Sequence, residues 1–175
     1  MDCRKKIRQA ISDLDFQTLV RIYKDSQKTM DSENLAYFTF LFFYPIRHFI
    51  QKLNLAERQR ILTDLQRDKK MKHWMWWGLP QPYGAWGSHK VSEETVRYSL
   101  RENEGALFLL HPEIRHYYLN ALELLLHKKV SFYEYFGPID FLKWQSHLDH
   151  FKSVAQSLDD KTVLIKLDKL SHHHF

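Results

Sequence analysis

The chain has 175 residues, 44% of them hydrophobic and 27% charged, which is typical of one globular domain with a sizeable core and excludes a disordered chain. The formal net charge of +5 favours an anionic partner, and a single cysteine, Cys3, excludes an internal disulfide. No apolar segment typical of a secretory signal follows Met1, and polar residues interrupt the longest apolar run, residues 35–50. We therefore expect a cytoplasmic, intracellular protein with no membrane span.

The amino-terminal third shows apolar residues at helical spacing, which predicts two short helices at the start of the chain. Asp31 or Ser32 can cap a third helix toward Phe43, after which Pro45 restarts the chain. We expect residues 1–53 to form an amino-terminal helical extension that packs on a core.

The next region combines one clear helix start with an irregular segment. Asn54, followed by Glu57, is typical of a capping box and predicts a helix to about Arg67. Residues 69–90, which we call the tryptophan segment, then hold four of the five tryptophans and four lysines but no acid. Its glycines and prolines exclude a continuous helix, so we predict an ordered, irregular loop.

The second half of the chain returns to helical spacing. Ser92 is typical of a helix cap, and residues 103–110 predict another short helix. Pro112 suits a first helical turn, and the apolar residues that follow predict a regular helix to His127.

The end of the chain carries one more capping pattern and one ambiguous segment. Ser131 predicts a short helix that Gly137 closes, and an apolar stripe over residues 141–155 predicts a long one. The tail, residues 159–175, fits either a helix or a strand in its middle. With residues 54–158 as the core, we predict an all-α fold: a single multi-helical domain with an ordered loop rich in Trp, Gly and Pro.

Four spaced blocks of residues carry a resemblance to a known family. They are HWMWWGLPQ at residues 73–81, Gly84 with Gly87 and Ser88, Glu104 with Phe108, Leu109, His111 and Pro112, and Gly137 with Asp140, Lys143, Ser146 and Phe151. Together they resemble an uncharacterised all-helical family, domain of unknown function eighteen-ten, sometimes labelled calpastatin-like. The resemblance covers residues 54–155, implies an all-helical fold and brings no established activity. The label is no reason to expect calpain inhibition, because inhibitors of that kind are long disordered chains.

Four positions depart from the family pattern. Gly105 replaces an alanine, Gly78 interrupts the aromatic run, and His147 and Asp149 replace polar residues that are usually serine and threonine. These departures are expected to retune a ligand site.

The aromatic and basic residues of the tryptophan segment have two interpretations. An indole can stack on a flat ligand while it anchors a loop, but core packing is the alternative for each tryptophan. Four lysines, Lys69, Lys70, Lys72 and Lys90, can attract phosphate or form a solvated face. Because no nucleic-acid-binding motif is present, a nucleic-acid partner is not expected.

The polar candidates also have structural alternatives. His73 can act as a general base or as a core histidine, and His111 can bind a ligand or cap the helix after it. Asp140, Lys143 and Ser146 stand at i, i+3 and i+6, so that the first two can meet on one helical face, where Asp140 can also cap the helix.

Metal binding has little support in the sequence. His147 and His150 are three residues apart and His172–His174 can add ligands, but no cysteine pair and no zinc-protease motif accompany them. We therefore expect no cofactor and no specific metal site.

The sequence favours a helical domain that binds a small anionic ligand of the nucleotide or ADP-ribose type. Any catalysis there would be metal-independent acid–base chemistry, with His73 or Asp140 as the base and Lys143 as the charge stabiliser. The alternative is a protein-interaction or effector module that meets a protein partner through residues 1–50. The candidate catalytic residues are His73, Asp140 and Lys143, and the candidate ligand-binding residues are Lys72, Trp74, Trp77, Gln81, Trp86, Ser88, His111 and Ser146.

Overall fold

The computed structural model describes residues 2–173, and the all-α prediction is confirmed. Within these residues, an isolated bridge between Pro82 and Leu100 is the one extended pairing. In chain order the α-helices are α1 Cys3–Asp13, α2 Phe16–Thr29, α3 Ser32–Phe43, α4 Arg47–Lys52, α5 Leu55–Leu65, α6 Met75–Gly78, α7 Glu93–Arg97, α8 Glu104–Leu110, α9 Pro112–Leu126, α10 Phe132–Phe136, α11 Pro138–Ser157 and α12 Lys161–Ser171, with a 3-10 helix at Tyr44–Ile46.

The internal contacts of the chain divide it into two compact units, one ending at Arg47 and one beginning at His48. In the first unit, α3 packs against both α1 and α2. Its core is aromatic: the Tyr23 ring stacks on Phe42 with centroids 4.8 Å apart and meets Phe43 edge-on at 5.2 Å. Aromatic pairs of this geometry stabilise a core beyond the burial of their area.

Aspartates cap the first three α-helices of the chain, α1 to α3. The side chains of Asp2, Asp15 and Asp31 each accept a hydrogen bond from a backbone N–H in the first turn. Such caps satisfy amide groups that have no partner within the helix. The cap predicted at Asp31 or Ser32 is therefore confirmed at Asp31.

The second unit is built around α9, which packs against α5, α8 and α12. Helix α11 in turn packs against α8, α10 and α12. The apolar face of α9 that the sequence predicted is buried, and it consists of Ile114, Tyr117, Tyr118, Ala121, Leu122 and Leu125. The regular spacing of these residues is what allows one helix to contact three neighbours at once.

Local capping residues fix where several helices of this unit begin. The side chains of Asn54, Ser92 and Ser131 accept backbone N–H groups at the starts of α5, α7 and α10. Each of these three starts agrees with the prediction.

The segment after residue 160 is a helix, which resolves the two alternatives that its sequence left open. Val163, Leu167 and Leu170 of α12 are buried, and the helix packs on α9 and α11. The last two residues of the predicted tail, His174 and Phe175, lie outside the described residues. None of the described helices is both long and apolar enough to cross a membrane.

Candidate functional site

The first half of the tryptophan segment is anchored by Asp64, which lies in the last turn of α5 and is 1% exposed. Its carboxylate accepts hydrogen bonds from the backbone N–H groups of Met71 and Lys72, at 3.2 and 3.0 Å, and from Trp74 Nε1 at 2.8 Å. A buried carboxylate is stable only when its lone pairs are satisfied in this way. The loop therefore folds back onto α5 at a fixed position.

Trp77 is held in the core by a second carboxylate of α5. Its Nε1 donates to Glu57 Oε2 at 3.1 Å, and Lys52 Nζ lies 4.2 Å from the centroid of its ring. The hydrogen bond from Arg60, together with the charge of Arg60, lowers the pKa of Glu57, and the bond from Trp77 adds to the effect. Trp77 therefore follows the core-packing alternative.

Gly78 allows the segment to approach the core closely. A Cβ atom at this position would lie 2.7 Å from Trp74 Cε3 and 3.1 Å from the hydroxyl of Tyr117. That hydroxyl donates a hydrogen bond to the carbonyl of Gly78 at 2.8 Å. The glycine that interrupts the aromatic run is thus explained by packing.

Two further departures from the family pattern are Gly105, which lies in the core, and Asp149, which does not. A Cβ atom at Gly105 would lie 3.1 Å from Val154 Cγ2 and 3.2 Å from His150 Nε2, so this glycine brings α8 close to α11. Asp149 is exposed on α11. None of these residues borders the cavity described below, so the expectation that they retune its ligand finds no support in their positions.

His147 connects α11 to the tryptophan segment. Its Nδ1 donates to the carbonyl of Pro80 at 2.7 Å, which leaves Nε2 to accept from the Tyr118 hydroxyl at 2.8 Å. The ring is fully buried, and burial lowers the pKa of His147 to about 3. A neutral imidazole with both nitrogens occupied is a structural link. It is not available as a metal ligand, and residues 2–173 contain no group of three or more potential ligands placed to hold a metal ion.

A cavity of about 330 Å³ lies between the first half of the tryptophan segment and the junction of α10 with α11. The cavity thus brings the tryptophan segment together with α11, and both hold predicted site residues. The cavity is lined by Lys70, His73, Trp74, Met75, Trp76, Phe136, Gly137, Pro138, Ile139, Asp140 and Lys143.

Lys70 is a fixed cation of the cavity wall. Its Nζ lies 2.8 Å from Asp140 Oδ2 and 4.9 Å from the centroid of the Trp74 ring, and it donates to the carbonyl of Lys72. The side chain is only 5% exposed. Because Asp140 and the Lys72 carbonyl engage two of its three N–H groups, Lys70 contributes charge and rigidity more than a free hydrogen-bond donor.

Lys143 is the more accessible cation. Its Nζ lies 3.7 Å from Asp140 Oδ1 and 4.7 Å from the centroid of the Trp76 ring, and its side chain is 18% exposed. Burial lowers the pKa of Lys143, the charge of Asp140 opposes that effect, and the charge of Lys70 adds to it. A desolvated ammonium with one loose carboxylate partner gains from a further anion.

Asp140 does not cap α11, and this part of the prediction was wrong. The N-cap is Gly137, with a φ of 79°, and Pro138 takes the first helical position. Few residues other than glycine adopt this φ, so the backbone conformation places the cap at Gly137, three residues before Asp140. Asp140 instead lies in the first turn, where its carboxylate contacts Lys70 and Lys143.

Two aromatic side chains complete the accessible wall. The Trp76 indole is half-buried and donates through Nε1 to Thr95 Oγ1 at 3.2 Å. The ring of His73 is exposed and lies 6.4 Å from that of Trp76, with 36° between their planes. Trp74 also borders the cavity, but its side chain is fully buried, so it supports the wall and offers no free face.

Seven predicted site residues lie away from this cavity. They are Lys72, Trp77, Gln81, Trp86, Ser88, His111 and Ser146, none of which is among the described lining residues. His111 is the N-cap of α9, where Nδ1 accepts from Ile114 N at 3.4 Å, and burial lowers the pKa of His111. The structural alternative for His111 is therefore the one observed.

Gln81 and Trp86, two further residues of these seven, also make contacts within the fold. The carbonyl of Gln81 accepts from the backbone N–H of Leu100 at 2.9 Å, and Trp86 packs edge-on against Tyr83 at 5.3 Å. Both contacts belong to the second half of the segment, after Pro80.

The sequence interpretation missed two residues that organise the site. Asp64 gave no local signal, because its hydrogen bonds reach seven to ten residues ahead. Lys70 belonged to the basic cluster that the sequence singled out, but its ion pair with Asp140 spans seventy positions. Trp76 was recognised as part of the aromatic run without being separated from its neighbours.

An all-helical domain with a cationic, aromatic-lined cavity is the class of protein that these observations define. The family model described as protein of unknown function (DUF1810) matches residues 44–171, and the chain belongs to this family. It is also similar in fold to the crystal structure of the conserved hypothetical protein Rv1873 from Mycobacterium tuberculosis, with 22% identity and a TM-score of 0.60 over 71% of this chain and 82% of that one. No curated protein matches the chain.

Proposed function

We propose that the cavity binds a small anionic ligand of the nucleotide or ADP-ribose type. The observation that carries this proposal is the position of Lys143, whose Nζ lies beside the half-buried Trp76 ring in the wall of the same cavity. A cation and an indole at one site suit a ligand that combines a phosphate with a flat or ribose-bearing group. The volume of about 330 Å³ lies at the lower end of the roughly 300–1,000 Å³ of typical ligand sites.

The charges of the wall favour an anion. Lys70 and Lys143 together outnumber Asp140, and both are largely shielded from solvent. In such surroundings the field of a cation is screened less than it is in water. Asp140 Oδ1 lies 3.7 Å from Lys143 Nζ, which is too far for a strong hydrogen bond. A bound phosphate would accept hydrogen bonds from this ammonium.

Catalysis would be a further property of the same site. His73 is exposed at the rim and is the candidate base with the fewest competing contacts, whereas Asp140 already contacts two lysines. Lys143 is the candidate for stabilising negative charge that develops on a reacting oxygen. These roles amount to metal-independent acid–base chemistry on a phosphate- or ribose-bearing compound.

Thermal shift measurements with nucleotides and ADP-ribose test the binding proposal. A ligand that binds the folded state raises the unfolding temperature. We expect at least one compound to stabilise the protein and the Lys143→Met variant to lose most of that shift. Lys52→Met is the matched control, because Lys52 also lies over an indole ring but outside the cavity. No shift with any compound would contradict the proposal, as would equal losses in the two variants.

A protein-interaction role is the second candidate, and one observation in the first unit favours it. Phe40 is 62% exposed, and its ring contacts that of Tyr44 with centroids 5.7 Å apart. The guanidinium carbon of Arg47 lies 4.1 Å from the centroid of the Tyr44 ring. Exposed aromatic and arginine side chains are frequent at protein interfaces. Affinity capture with wild-type protein and with Phe40→Asp would test this role, which predicts that the partner is lost while the ligand-induced thermal shift is retained.

A further inference from the structure

The cavity contains an amine in a setting that suits covalent chemistry as well as binding. We propose that Lys143 condenses with an aldehyde group of the anionic ligand and forms an imine, so that the substrate class is a phosphate-bearing sugar whose ring opens to an aldehyde. This inference rests on the proposed function for the anionic character of the ligand. It adds a reaction at a named atom, Lys143 Nζ.

Two groups that can assist imine formation lie close to this amine. Asp140 Oδ1 lies 3.7 Å from Lys143 Nζ, close enough to exchange a proton with it after a small movement. The Trp76 ring lies 4.7 Å from Nζ. An aromatic face attracts a cation whether it is an ammonium or a protonated imine. The same wall therefore accommodates the reactant and the product.

The surroundings also increase the fraction of the neutral amine, which is the nucleophilic form. Burial lowers the pKa of Lys143 and the nearby charge of Lys70 lowers it further, although the charge of Asp140 opposes both effects. Desolvation and a neighbouring cation are the two means by which proteins activate a lysine for imine formation.

The reaction balances without any further reactant. Asp140 takes one proton from the Lys143 ammonium, and the free lone pair attacks the aldehyde carbon while the C=O π electrons move to oxygen. A proton then moves from nitrogen to that oxygen, which gives a neutral carbinolamine. Asp140 returns its proton to the hydroxyl, the C–O bond breaks, and water leaves. The products are a protonated imine and water, so the net charge at the site does not change.

Lys70 and Lys128 do not offer the same chemistry. Lys70 Nζ is engaged by Asp140 at 2.8 Å and by the carbonyl of Lys72, and its side chain is 5% exposed. Burial also lowers the pKa of Lys128, but its Nζ donates to the carbonyls of Leu65 and Arg67 and lies outside the cavity. Lys143 thus combines an activated amine with access to a ligand.

The test is reductive trapping with ribose 5-phosphate as the probe. The full-length protein is incubated with the sugar phosphate and sodium cyanoborohydride, which reduces an imine to a stable secondary amine. Intact mass and peptide mapping then locate the adduct. We expect Lys143 to be labelled at least about tenfold faster than Lys52, since activation raises the reactive amine fraction.

Two controls separate the covalent step from binding. Lys143→Arg keeps the positive charge but cannot form an imine, so we expect this variant to retain a thermal shift with ribose 5-phosphate and to lose the rapid label. The corresponding alcohol, ribitol 5-phosphate, should bind the wild-type protein without forming any adduct. Mapping the label on the wild-type protein requires no variant to fold.

The outcomes distinguish the two proposals. A thermal shift with ribose 5-phosphate, combined with labelling of Lys143 at the rate of Lys52, overturns the imine and leaves the binding proposal intact. Absence of both the shift and the rapid label, together with no shift from nucleotides or ADP-ribose, overturns both proposals. Rapid labelling that persists in Lys143→Arg assigns the reaction to another lysine and also overturns the inference.

Discussion

The two halves of the tryptophan segment differ in how the fold holds them, although each contains at least one tryptophan. In the inner half, residues 70–80, the backbone and indole groups are tied to the carboxylate of Asp64, and Pro80 is tied to His147. In the outer half, residues 81–90, short turns join the backbone of Pro82 to Ala85 and that of Gly84 to Gly87. The inner half borders the cavity, and the outer half does not.

One tryptophan from each half shows that an indole needs buried polar anchors nearby to become part of a site. Trp76 and Trp86 are both half-buried. Trp76, however, hydrogen-bonds to Thr95 and lies beside Lys143, whereas Trp86 packs on the exposed Tyr83. A binding group has to be held by a rigid environment, and only the inner half is attached to helices of the core at several points.

The largest effect is expected from removing the anchor of the inner half. The Asp64 carboxylate accepts hydrogen bonds from three N–H groups. In Asp64→Asn, the NH₂ group of the new amide cannot accept a hydrogen bond, so at least one of these N–H groups loses its partner. We expect a loss of about 2–4 kcal/mol in the free energy of unfolding, measured by urea denaturation. Asp68→Asn, at an exposed position nearby, is the control and should change it by less than about 0.5 kcal/mol. Similar losses in both variants would show that Asp64 stabilises the fold no more than an exposed aspartate does.

The next effect concerns the link between α11 and Pro80 at acidic pH. His147 is neutral in the folded protein, with a pKa of about 3, whereas an unfolded histidine has a pKa of about 6.5. The unfolded state therefore binds a proton first, and the stability that His147 contributes is lost as the pH falls below about 6.5. The expected slope is about 1.4 kcal/mol for each pH unit between those two values.

Denaturation midpoints between pH 7 and pH 5 measure this slope, and His147→Gln is the comparison. Burial also lowers the pKa values of His111 and His150, so some acid sensitivity should remain in the variant. If the free energy of unfolding falls with pH equally steeply in the wild type and in His147→Gln, protonation of His147 is not the cause of the acid sensitivity.

Glycine substitutions compare the packing of the two halves. Gly78→Ala would place a methyl group 2.7 Å from a carbon of the buried Trp74 ring, and we expect a loss of about 2–3 kcal/mol from overpacking. Gly84→Ala meets no atom within 4 Å but has a φ of 83°, so about 1 kcal/mol of backbone strain is expected. Thermal unfolding of the two variants checks the order, and a larger loss for Gly84→Ala would reverse the comparison.

The smallest effect is expected from the outer tryptophan. Trp86→Ala should change the affinity for a nucleotide-type ligand by less than about twofold, whereas Trp76→Ala should weaken it by about tenfold, in line with the loss of one stacking contact. Isothermal titration calorimetry measures both values. Equal effects at Trp76 and Trp86 would extend the site into the outer half.

Features that depend on neighbouring residues were predictable from the sequence. Asn54, Ser92 and Ser131 begin helices because a capping side chain acts within three residues of its own position. The same reasoning failed at Asp140, because Gly137 and Pro138 supply a helix start through backbone geometry alone. A capping residue in the sequence therefore indicates that a helix begins nearby. It is a less reliable guide to the residue at which the helix begins.

The site was predictable only in part. Four of the predicted site residues, His73, Trp74, Asp140 and Lys143, border the cavity, and their roles there stay predictions. The remaining candidates have suitable chemistry, but residue type alone does not determine whether a side chain faces the cavity. Contacts such as that of Trp76 with Lys143 join residues far apart in the chain, so only the packing of the second unit determines them.

The central claim is that a small anion binds beside Trp76 and Lys143, and indole NMR resonances test it most directly. In a titration with ADP-ribose, the Nε1–H resonance of Trp76 should shift and saturate while that of Trp86 stays in place. The Lys143→Met variant should show no such shift at the same ligand concentrations. Stationary Trp76 resonances throughout the titration, or a shift confined to Trp86, would contradict the account.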